Sequence, residues 1–237
     1  MFKSLQKKYF SGLTKDTVLI ACASLFSDIS TEMLYPVIPV YLTQYLKTGG
    51  SIIGIIEGIA QATQNIVQGL SGYLSDKFQR RKPIALFGYV LSAVSKPFIG
   101  IASSWQLVLA ARFSDRLGAG TRSAPRDALV ASSVAEKHRG KAFGLEGFGD
   151  NLGAFIGPLI TVLLFFTLQF NIRSVFYLAF IPGLLAFIMM LFVKEKKSAA
   201  VKSKIDLHTE KFPKQYWKYI MVTGLFGLGN SRHLGRG

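Results

Sequence analysis

"GYLSDKFQRRK", residues 72–82, sets Lys77, Arg80, Arg81 and Lys82 beside a single acid, Asp76. On its left is the apolar run "SIIGIIEGIAQATQNIVQGL", residues 51–70, and on its right "PIALFGYVLSAVSKPFIGIA", residues 83–102. A dense charge knot therefore stands between two stretches built to avoid water. A helix needs about 20 mostly apolar residues to cross about 30 Å of hydrocarbon. Both flanks meet that length, which makes the knot a short aqueous turn between two membrane spans.

The rest of the chain repeats the pattern. Spans are predicted at residues 17–46, 51–74, 83–103, 105–133, 142–168 and 173–193, and a seventh begins near Trp217. The composition agrees. Of 237 residues, 50% are hydrophobic and only 17% are charged, against about 25% charged in a soluble domain. The apolar runs do not alternate in the way membrane strands do. The fold class is therefore all-α integral membrane, a six-helix transmembrane bundle plus a truncated seventh helix. The segments are 1–16, a cytoplasmic amino-terminal stretch; 17–194, the bundle; 195–216, a basic cytoplasmic linker; and 217–237, the truncated start of helix seven.

The formal net charge is +15. In a soluble protein that would suggest nucleic acid. Here the basic residues crowd the gaps on one side of the spans, 19 Lys and Arg against 2 on the other. That asymmetry orients a membrane protein and places the amino terminus, the charge knot and the linker in the cytoplasm. No nucleic-acid partner is expected. Cys22, the single cysteine, lies inside a span and cannot form an internal disulfide. No cleavable signal peptide is evident. The end reads "YWKYIMVTGLFGLGN" and then "SRHLGRG"; only about 14 residues there are apolar enough, too few to cross. This reads as a truncated or frame-shifted chain, with a natural stop after a re-entrant or surface segment as the alternative.

Charges in hydrocarbon are expensive and need a partner or a wet cavity. Span four, "ARFSDRLGAGTRSAPRDALVASSV", carries Arg112, Asp115, Arg116, Arg122, Arg126 and Asp127. At helical spacing all six fall within an arc of about 140°, and Pro125 is expected to bend the helix. They read either as the polar wall of a transport pathway or, towards the cytoplasmic end, as surface salt bridges. In span one Asp28 and Glu32 stack with Ser24 and Tyr35 before Pro36 and Pro39. They suit proton carriage, or else ion pairs to Arg112 or Lys96. Glu57, Gln61, Gln64 and Gln68 form a stripe on span two, either lining a cavity or bonding helix to helix. No nucleophile elbow, metal-binding pair of histidines, phosphate loop or paired-cysteine motif occurs. The chain is not expected to be an enzyme, and no cofactor or metal is expected.

These residues resemble the major facilitator superfamily. Its loop between helices two and three carries Gly-x-Leu-x-Asp-(Arg/Lys)-x-Gly-Arg-(Arg/Lys). Gly72, Leu74, Asp76, Lys77, Arg80 and Arg81 match, while Gln79 replaces a glycine. The resemblance implies that this loop is a gate whose contacts break and re-form as the carrier rocks. The family's antiporter signature on helix five matches at Gly144, Gly153, Gly157 and Pro158, with Thr161 at its last glycine. Arg112 or Arg116 stands for the family's proton-linked arginine, and "RSAPRDAL" resembles a bacterial subgroup.

The resemblance implies the amino-terminal half of a twelve-helix carrier of inverted repeats. It would sit in the plasma membrane (the bacterial inner membrane) and exchange a small organic solute, outward, for protons. Asp28, Glu32, Glu57, Gln61, Arg112, Asp115 and Arg116 would form the substrate and proton pathway. The expected partners are the lipid bilayer, a small-molecule substrate, protons, and the missing carboxyl-terminal bundle or a second copy. Solute uptake, or a fragment that transports nothing, are the alternatives.

Overall fold

The computed structural model describes residues 11–167, 170–195, 217, 218, 221 and 222. The chain divides into two units, Met1–Ser198 and Ala199–Gly237. In the second, the described residues Trp217, Lys218, Met221 and Val222 are helical. The predicted linker beyond Glu195 and most of the predicted seventh helix lie outside the described residues.

Six long helices build the first unit: α1 (Lys15–Glu32), α2 (Gly50–Phe78), α3 (Arg81–Ile101), α4 (Trp105–Ser133), α5 (Arg139–Phe166) and α6 (Ile172–Phe192). Local chemistry sets their ends. Thr14 caps α1, its Oγ1 accepting from the Thr17 N–H at 3.2 Å. Pro36 disfavours helical geometry in the residue before it, and α1 stops at Glu32. The chain resumes as one helical turn at Val37–Val40 and a π-helical turn at Tyr41–Tyr45. Gly49 and Gly50 open α2. Asn171 caps α6, accepting from the Arg173 N–H at 3.1 Å. Pro97, Pro125, Pro158 and Pro182 all lie inside helices that continue through them; neighbouring helices make interior proline tolerable in a membrane bundle.

Four segments are long and apolar enough to span: Lys15–Tyr45, Arg81–Ile101, Glu136–Phe165 and Ile172–Phe192. Six were expected. The remaining two helices, α2 and α4, have 29 residues each, or about 43 Å, so length does not exclude them. They fall short on hydropathy alone, because they carry the glutamine stripe and the six-charge face, and they complete the six-helix bundle.

α1 packs mainly on α5 and α6, α4 on α2 and α3, and α3 on α6. Exchanging α1 with α4, α2 with α5 and α3 with α6 maps these five pairings onto themselves. That is the contact signature of two three-helix repeats.

The interior has three levels. One apolar cluster joins Ile29, Leu34, Ile38 and Tyr41 to Ile99, Val108, Val175 and Phe176. Another joins Ile20 and Ala23 to Ala85, Tyr89, Leu129, Ala186 and Met190. Along α3 and α4 the buried charged residues Lys96, Arg112, Asp115 and Arg122 fall between these clusters, with Ser24 of α1 and Ser92 of α3 beside them. The bundle therefore holds its charge in a middle layer with an apolar plug on either side.

Candidate functional site: a buried charge layer

The layer has two centres. In the first, Arg112 of α4 grips Glu57 of α2 through two nitrogens: Nη2 lies 2.7 Å from Oε2 and Nε 3.1 Å from Oε1. Its Nη1 reaches Asp115 Oδ2 at 3.2 Å. Asp115 accepts from Ser92 Oγ at 2.7 Å and pairs with Lys96 of α3 at 3.6 Å and Arg116 at 3.5 Å. Arg116 also donates to Gln64 of α2 at 3.1 Å. Lys96, Arg112 and Asp115 are each 1% exposed. Burial at that depth requires pairing, and every one of them is paired.

The second centre is Arg126 of α4. It bonds Glu146 at 2.8 Å and Asp150 at 3.4 Å on α5, Asp127 at 3.3 Å, and Ser24 Oγ of α1 at 3.0 Å. Ser24 donates onward to Glu146 at 3.2 Å. One guanidinium thus ties three helices. Between the centres, Arg122 stacks over the Tyr89 ring at 5.1 Å. The Tyr89 hydroxyl is buried without a hydrogen-bond partner among the described residues. Asp28 lies within electrostatic reach of Asp150, Arg122, Arg126 and Glu32.

Close helix approach makes the layer possible. A methyl group at Gly149 would meet Ala21 O at 2.6 Å, at Gly153 Leu25 O at 2.6 Å, and at Gly157 Ile29 O at 2.9 Å. Three glycines at four-residue spacing therefore lay α5 directly on the backbone of α1. On the other repeat, a methyl at Gly120 would meet Gln64 O of α2 at 2.5 Å, and one at Gly118 the Ser92 N–H of α3 at 2.6 Å.

Several expectations are corrected. Gly144 has open space around it; Gly149, one turn nearer Gly153, makes the contact in its place. Asp28 and Glu32 do not pair with Arg112 or Lys96, whose partners are Glu57 and Asp115. Tyr35 does not continue the α1 polar face: it is 64% exposed while Ser24 is fully buried, because the helix ends between them. Gln61 is exposed and bonds Asn65 within its own helix at 3.3 Å, apart from the charge cluster. Lys96, Arg126, Glu146 and Asp150 also belong to the layer, and helix-to-helix packing supplies their partners.

At the opposite end from the π-helical turn, residues 72–82 form the last turns of α2, a two-residue turn at Gln79 and Arg80 and the start of α3, and an Asp76–Arg81 ion pair at 3.2 Å spans that turn. Gln79, where the family carries glycine, is left-handed with φ 52°. Its side chain donates to Asp76 O at 2.7 Å. Gly72 faces Ala124 of α4, where a methyl would come within 3.2 Å. Lys77 lies over the Tyr73 ring at 5.9 Å, and Arg80 is exposed. Glu195 accepts from the Arg81 N–H at 2.7 Å and the Lys82 N–H at 3.2 Å, closing the start of α3.

An all-helical, multi-pass bundle with two repeats and a buried polar layer is the architecture of half a membrane carrier. Residues 20–231 match the model of the Major Facilitator Superfamily, and the chain belongs to that family. It is 33% identical over 225 residues to an MFS-type transporter of Methanocaldococcus jannaschii, covering 94% of this chain and 56% of that protein. It is 26% identical over 197 residues to the quinolone resistance protein NorA of Staphylococcus aureus, covering 83% and 50%. Among solved structures, the human organic anion transporter MFSD10 superimposes with a TM-score of 0.65 at 16% identity, over 78% of this chain and 48% of that one. A peptide transporter, POT, gives 0.64 at 18%, over 94% and 45%. The structural likenesses speak to the fold. The chain spans about half the length of the relatives it matches.

Proposed function

We propose that this bundle is the amino-terminal half of a secondary carrier that moves a small organic solute out of the cell in exchange for protons. The carrying observation is the middle layer of ion pairs. Five cations and several carboxylates sit between apolar plugs, at a cost that packing alone does not require. Carboxylates that can lose and regain their cation, Glu57 at Arg112 and Asp28 near Arg122, are groups through which a proton can be exchanged for a solute. Asp28, Glu32, Glu57, Arg112, Asp115 and Arg116 line the pathway, with Gln61 on the exposed face of α2. The opposite wall comes from a second six-helix half, in a longer chain or a second copy. Rocking of the halves about the layer works the Asp76–Arg81 pair as a cytoplasmic gate. The quinolone resistance relative and the glycine ladder of α5 support the outward direction.

The test is made in everted membrane vesicles containing the protein, loaded with an acid-inside gradient. Addition of a transported solute discharges the gradient, and Glu57→Gln or Asp28→Asn abolishes the discharge. Solute flux that ignores the gradient, or discharge unaltered in both variants, contradicts the proposal. Solute leaving the vesicle lumen as protons leave would assign uptake instead.

A further inference from the structure

The first charge centre does not balance. Lys96, Arg112 and Arg116 bring three cations against two anions, Asp115 and Glu57. The two anions are held in different ways. Asp115 is 1% exposed and held by all three cations and by Ser92. Glu57 comes from the facing helix, has 36% of its side chain exposed, and is held by Arg112 alone. Asp115 is a fixed part of the structure; Glu57 is the member free to leave.

If Glu57 swings away, the Nε–Nη2 edge of Arg112 is uncovered with two positive charges in excess behind it. Such an excess is not sustained in a low-dielectric interior. Another anion must take the place. The planar guanidinium edge that now holds Glu57 fits a carboxylate through two parallel hydrogen bonds. Arg116, one turn along α4 and anchored by Gln64, lies within electrostatic reach of Glu57 and adds further donors nearby. A cationic solute meets the opposite situation, since it would add charge to a centre already positive.

We infer that Glu57 is a built-in stand-in for the substrate, and that the solute is an organic anion whose carboxylate replaces Glu57 on Arg112, flanked by Arg116 and Gln64. This rests on the carrier reading above and adds the class of solute. Outward passage then begins when the solute's carboxylate takes Arg112 and Glu57 turns to the aqueous path.

The probe is a series of aryl and alkyl carboxylates, each with its matched amide and amine, titrated into purified protein in nanodiscs by calorimetry and thermal shift. Carboxylates are expected to bind and their amides and amines not. Removing the internal competitor in Glu57→Gln is expected to tighten carboxylate binding about tenfold, because the binding-competent fraction rises. Arg112→Lys is expected to lose it. Should Glu57→Gln fail to fold, Arg116→Gln reads the same site and should weaken carboxylate binding severalfold. Absence of carboxylate binding, tighter binding of the amines, or carboxylate affinity unmoved by these variants overturns the inference. Carboxylate binding without flux would leave this site standing and remove the carrier reading; flux of amines alone would do the reverse.

Discussion

At the residue scale, Gln79 shows how a departure from a family pattern is absorbed. The left-handed turn that closes α2 favours glycine. A side chain there costs about 1 kcal/mol, and the bond from Gln79 Nε2 to Asp76 O returns part of it. Gln79→Gly is therefore expected to raise the melting temperature of the detergent-solubilised protein slightly, by an amount worth less than about 1 kcal/mol. A lowered melting temperature would mean that the side-chain bond outweighs the strain. The charge knot itself was legible in the sequence, because lipid leaves so few places for four basic residues in a row of six. The partners of the buried charges were not. Spacing along one helix tells which residues share a face, but not which helix lies opposite. The alternative that pairs Asp28 and Glu32 with Arg112 or Lys96 fails for this reason: the fold gives those cations to Glu57 and Asp115.

At the scale of the element, α5 is decided by which glycines meet α1. Gly153 leaves no room for a methyl against Leu25 O, whereas Gly144 has none of α1 near it. Gly153→Ala is expected to destabilise the bundle by about 1–3 kcal/mol through overpacking. Gly144→Ala is expected to be neutral or stabilising by up to about 1 kcal/mol, since it removes a helix-interior glycine. Thermal melts of the two variants side by side check this, and equal effects would contradict the packing. The helix was legible from its apolar run and the signature at Gly153, Gly157 and Pro158. The choice of Gly149 over Gly144 was not, because a family spacing records a pattern and not the four-residue ladder that touches a neighbour. For α2 and α4, hydropathy understated the case. Their charges at Glu57, Arg112, Asp115, Arg116 and Arg126 are paired, so composition alone makes the two helices look less membrane-like than their length and packing do.

At the scale of the whole bundle, the arrangement is an apolar plug, a charge layer and a second apolar plug, repeated by exchange of α1–α3 with α4–α6. This follows from the alternating directions of the helices, which bring the polar middle of each to one level. It places the α2–α3 turn at Gln79 and Arg80 and the turn before Gly49 at opposite ends, and the reading as a membrane carrier requires a bilayer between them. The direct measurement is labelling of single cysteines, Arg80→Cys and Thr48→Cys, each on a Cys22→Ser background, with a membrane-impermeant thiol reagent in intact cells and everted vesicles. Position 80 should react only in everted vesicles and position 48 only in intact cells. Labelling of both positions from the same side would contradict the account.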